Sequence, residues 1–197
     1  MTRGFSAVVM AAAATVLLST PVPAAPQSQS EMAAAMAKAK RFTQPGDAHK
    51  VLERFVGRWT TELRMFGMGK PTPPEKGVAE FSWLMPGRWL KMESTGSMMK
   101  LPTQTFMLLG YDNFKQSYVS TNISSLDTAM THAEGDMDPS GKALISYGTL
   151  DEYLTGEHDK MVKYVWRFNS PGEMVLEVHD LPIGETNTKV VEITFRR

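Results

Sequence analysis

Arg88 is the residue whose type and place imply the most specific chemistry. It follows the Pro86-Gly87 turn and falls in phase with Leu90 and Met92, so a strand there aims its guanidinium at the apolar side. An inward arginine needs an anion. Glu80 or Glu134 would make a buried ion pair with it, and otherwise a ligand carboxylate or phosphate would be held bidentately. The other titratable clusters are weaker. His132, Glu134 and Asp136 recur at every second residue, but on a strand their Cα atoms stand roughly 6.5 to 7 Å apart, too far for three neighbours to grip one small ion. His49, His158 and His179 do not converge by spacing. The chain holds 15 methionines, and thioethers bind Cu(I), but only Met65-x-x-Met68 and Met98-Met99 are spaced as copper ligands, so the methionines read as adaptable packing. There is no Gly-x-Ser-x-Gly elbow, no His-Glu-x-x-His pair and no phosphate loop, and no catalytic residue is assigned.

These residues sit on elements that alternate. From Gly57 the period is two, with Trp59, Thr61, Leu63 and Met65 on one side of a strand and Thr60, Glu62 and Arg64 on the other. Late strands repeat the pattern more clearly: Val162, Tyr164, Trp166 and Phe168 alternate with Lys163, Val165 and Arg167, and Val191, Ile193 and Phe195 with Glu192, Thr194 and Arg196. About ten such runs follow one another, separated by turn chemistry such as Asp112-Asn113, Asp138-Pro139-Ser140-Gly141 and Ser170-Pro171-Gly172. Short turns force antiparallel neighbours, and a closed up-and-down β-barrel leaves no exposed edge. Ahead of the strands, Asp47 caps a short lid helix that presents Val51, Leu52 and Phe55 on one face.

The chain begins with an export signal over residues 1–25. Arg3 supplies its charge, Ala7 to Leu18 its apolar core, and Pro21 to Ala25 its small-residue cleavage site. The core falls short of the roughly 20 residues of a membrane span, and no later segment reaches that length. Residues 26–46 read as a flexible linker and 47–197 as one domain. Without cysteine there is no lipid-modified cysteine, disulfide or thiolate site, so the mature chain is expected in the periplasm or outside the cell as a non-lipoprotein. The full sequence is balanced, with 21 basic against 21 acidic residues, and the signal contains only Arg3 among them, so the mature chain is close to neutral, which argues against nucleic acid as a partner.

Taken together, His49-Lys50-x-Leu52, Val56-Gly57-x-Trp59, Gly87-Arg88, Leu109-Gly110-Tyr111-Asp112-Asn113, Tyr118-Val119-Ser120 and Glu134-Gly135-x-x-Asp138 resemble a bacterial family known only as a domain of unknown function. The resemblance spans roughly Asp47 to Arg197 and implies an exported calycin or lipocalin-like barrel without an assigned activity. The Gly-x-Trp opening and strand count are also similar to haem-binding nitrobindin-like barrels. The surrounding glycines depart from that pattern, and no histidine falls on an apolar strand face, so no cofactor is expected. Likeness to lipocalin-like barrels implies that Trp59 closes one end by stacking under a late arginine, Arg196 or Arg197, with Arg196 taken as the partner.

The reading that follows is a barrel binding a small, mostly apolar molecule, with Trp83, Tyr118, Tyr164, Trp166 and Phe168 lining the cavity and Arg88 as polar anchor. A barrel packed solid, making contacts through loops such as 67–76 and 124–131, is the alternative. An enzyme acting inside the barrel is third.

Overall fold

The computed structural model describes residues 28–66, 70–152, 155–181 and 188–197. The expected export signal and part of the 67–76 loop lie outside them. The chain divides into two units between Lys38 and Ala39. Where a linker was expected, helix α1 runs over Gln29–Thr43, rich in alanine and with none of its residues buried. Alanine and lysine carry little helix penalty, which explains why this composition winds into a helix although none of its residues is buried.

The second unit takes in the end of α1 and then a short helix, α2 (Asp47–Lys50), continued by a 3₁₀ turn (Val51–Arg54). Ten strands follow: β1 (Gly57–Met65), β2 (Glu75–Met85), β3 (Trp89–Met98), β4 (Leu101–Asp112), β5 (Ser117–Ser124), β6 (Met130–Met137), β7 (Ala143–Glu152), β8 (Glu157–Ser170), β9 (Glu173–Asp180) and β10 (Thr188–Arg196). Each pairs antiparallel with the next, and β10 pairs back with β1, Thr61 opposite Phe195 and Leu63 opposite Ile193, so the sheet closes on itself. The ten-stranded up-and-down barrel read from the alternation is the observed architecture.

Pairing fixes which side chains face inward. Trp59, Phe81, Leu90, Leu109, Leu144 and Trp166 lie on the inner face and are almost wholly buried. The lid closes their end of the barrel. Leu52 and Phe55 show no exposed surface, and Phe55 packs its ring against Phe81, Trp166 and Phe168 at centroid distances of 5.4, 5.3 and 5.0 Å. Burying one phenylalanine contributes roughly 1.5 to 3 kcal/mol, so this one residue is a large part of what seats the lid.

Close strand approach explains two glycines. A Cβ at Gly135 or Gly148 would overlap the backbone of Ile145 or His132 on the neighbouring strand, so β6 and β7 can bend together only without side chains there.

Candidate functional site

The lid end is built tightly, beginning with His49. Gly46 is the N-cap of α2, and His49, three residues on, returns its Nδ1 to accept the Gly46 N–H at 3.0 Å, the role a glutamate or glutamine fills in a capping box. Asp47, expected as the cap, instead pairs with Lys50 at 2.7 Å on the surface. His49 is 6% exposed, and burial together with the nearby Arg88 charge holds its imidazole below the ordinary value of 6.5. Tyr118 donates its hydroxyl to the Ala48 carbonyl at 2.8 Å, and burial pushes the phenol up to about 12. Arg54 reaches from the lid to the Gly141 carbonyl at 2.8 Å and lies 3.7 Å over the Phe168 ring.

Trp59 donates its indole N–H to the Phe55 carbonyl at 2.8 Å, and a guanidinium covers its ring at 4.1 Å. That guanidinium belongs to Arg197, which also donates to the Val56 carbonyl at 2.6 Å. Arg196, taken as the partner, alternates to the outer face and pairs with Glu173 at 3.0 Å and Glu62 at 3.4 Å. Period-two alternation puts consecutive residues on opposite sides, so only one of the two could reach Trp59.

Arg88 is likewise corrected. It precedes β3 rather than entering it, and its guanidinium donates to the Thr43 carbonyl at 2.6 Å and to the Gln44 side chain, outside the barrel. It does not point inward. Trp83 packs half-buried against the core, while Tyr118, Trp166 and Phe168 are buried in it. These four expected cavity residues belong to the packed half: Phe55 packs on Trp166 and Phe168, Tyr118 is tied to Ala48 of the lid, and Trp83 packs against the same core.

Past the middle of the barrel the interior changes character. Inward residues there are half-buried instead of buried, on strands all around the ring: Thr61, Ser94, Thr105, Asn122, Tyr164 and Ile193. On β7 and β8 burial extends further: Ser146, opposite Tyr164, is 6% exposed, and Val162, two residues beyond Tyr164 toward the far rim, is 0% exposed. Of the six expected ligand contacts, Tyr164 alone faces this half. Its phenol, raised by burial, is paired with the Thr131 hydroxyl across Gly148 and Ser146 of the intervening strand.

The two walls of this half differ. On β1, β9 and β10 it presents Leu63, Val178 and Ile193, the last packed partly against the core; on β3 to β5 it presents Ser94, Thr105, Ser120 and Asn122. The side chains of these last four hydrogen-bond to no described residue. They are the residues the sequence reading passed over. Their signal was phase: Ser120 and Asn122 fall in phase with Tyr118, and Ser94 with Met92, on the apolar side of their strands. At the rim, Lys160 and Asp180 face each other at 2.9 Å, and Glu152 and Glu157 each stand 3.8 Å from the same ammonium. Hydrogen bonding to Asp180, more than the other carboxylates, raises the Lys160 pKa.

The outer face carries no convergent ligands. His132 bonds to Thr121 at 2.9 Å and Glu134 pairs with Lys115, both on the outside, and among the described residues no cluster of metal-binding side chains forms. Across the outer face of β1 to β5 runs an open groove of about 890 Å³, where Val78, Phe106 and Ile123 lie among Arg58, Glu80 and Glu93.

The fold has known counterparts. Residues 44–197 match the family described as protein of unknown function (DUF1579). Among solved structures, Rv2717c from M. tuberculosis superposes with a TM-score of 0.57 at 10% identity, over 78% of this chain and 99% of that one. An S-type phycobiliprotein lyase, CPES, from Guillardia theta gives 0.48 at 12% identity over 80% and 94%, and a redesigned beta barrel 0.39 at 11% over 75% and 94%. No curated protein sequence matches.

Proposed function

The chain belongs to the DUF1579 family, whose domain here is a closed ten-stranded β-barrel, and from that premise we propose that it is an exported binding protein for a small, mostly apolar molecule. The site is the half of the barrel away from the lid. One observation supports the reading: inward side chains are buried at the lid end and, Ala133 and Val162 apart, mostly half-buried beyond the middle, as in a barrel plugged at one end and open to a ligand at the other. Barrels of this size hold one small ligand in such a space. Export rests on the pattern of residues 1–25, and the balanced charge argues against nucleic acid as the partner.

Native mass spectrometry of the mature protein, purified from its own envelope and compared with a denatured control, tests this. An extra mass lost on denaturation is expected. A bare mass that persists after incubation with a lipid and metabolite extract would overturn the reading in favour of a barrel that works by surface contacts alone.

A further inference from the structure

The two walls of the accessible half specify more than an apolar ligand. Ser94 and Thr105 oppose each other across β3 and β4, and Asn122 and Ser120 follow on β5, each half-buried and without a hydrogen-bond partner among the described residues. Groups removed from bulk water in this way gain when a ligand supplies the missing partner and lose when an alkyl chain covers them. Facing them, Leu63, Val178 and Ile193 offer only apolar surface.

Charge decides the rest. The cation that the register turns inward on β8 is Lys160, and it is already held by Asp180 at 2.9 Å with Glu152 and Glu157 at 3.8 Å. A ligand carboxylate would have to displace Asp180 and then face the remaining acids, and Arg88, the other candidate anion receptor, is committed outside the barrel to Thr43. Hydroxyls and an amide, by contrast, bind neutral oxygen functions without any charge to desolvate. Resting on the binding function proposed above, we propose that the site takes an uncharged aliphatic molecule carrying hydroxyl, ester or ketone oxygens along one edge, and discriminates against free carboxylic acids.

The test compares one alkyl chain presented as the alcohol, the methyl ester, the carboxylate and the plain alkane, with binding to the mature protein measured by calorimetry at neutral pH. The alcohol and ester should bind at least about tenfold more tightly than both the carboxylate and the alkane. Asn122→Leu should bring the alcohol and ester severalfold closer to the alkane. Asp180→Asn, which frees Lys160, should raise carboxylate affinity and leave the alcohol unchanged. A carboxylate that binds the native protein as tightly as the alcohol would overturn this inference while leaving a binding function standing. Failure of all four to bind, even to protein stripped of any endogenous ligand, would remove both.

Discussion

His49 ties the pH response of the protein to its lid. Its Nδ1 must be unprotonated to accept the Gly46 N–H, and burial beside Arg88 lowers its affinity for a proton in the folded state. The folded pKa lies below the ordinary 6.5, so the native state binds fewer protons than the unfolded chain at mildly acidic pH. The stability that depends on neutral His49 is complete above about pH 6.5 and is lost as pH falls through the lower folded value. Melting temperatures measured from pH 8 down to 5 should therefore decline, and His49→Gln, whose amide can still accept the bond, should flatten that decline. Arg197 offers a second contrast. Arg197→Ala removes both the stack on Trp59 and the Val56 hydrogen bond and should cost about 1 to 2 kcal/mol in a urea titration, whereas Arg196→Ala breaks only exposed ion pairs and should cost less. The Trp59 latch was legible in the sequence as a tryptophan awaiting a late arginine. Which arginine answers it depends on strand phase at the last residue, where one step of register exchanges the two.

At the level of elements, alternation made the strands legible, since period-two patterning and turn chemistry report directly on sheet geometry. It did not report how the interior is divided. Aromatic residues on inner faces looked like cavity lining, but Tyr118, Trp166 and Phe168 are covered by Phe55 and Arg54, and that depends on how the lid docks, an arrangement no strand pattern encodes. The β3–β4 turn shows the converse, a local oddity visible only in the backbone. Met99 and Lys100 both adopt left-handed φ, 53° and 63°, conformations that cost non-glycine residues roughly 1 to 2 kcal/mol each. Glu75 partly offsets this by accepting the Lys100 N–H and the Ser97 hydroxyl. Replacing Met99-Lys100 with Asn-Gly should raise the denaturation midpoint by the equivalent of about 1 to 2 kcal/mol without altering the barrel, and a lower midpoint would refute the strain. Gly135→Ala should do the opposite, since its Cβ would run into the Ile145 carbonyl, and the variant should be recovered only in insoluble form or with a much reduced melting temperature.

The barrel unit is a ring whose last ladder joins β1 to β10, with Thr60 opposite Arg196 across 136 residues of sequence. The other nine ladders link strands adjacent in the chain and can form as local hairpins; this one must wait until both are made and brought together. Refolding should consequently show a slow phase, on the millisecond to second scale, in which Trp59 becomes quenched beneath Arg197 after most strand signal has returned. Until that moment β1 and β10 are bare edges, each able to pair with another copy's strand as readily as with its own. Aggregation during refolding should therefore grow with protein concentration and be worsened by any change that weakens the Trp59–Arg197 latch, making the seam of the ring the point where yield is won or lost.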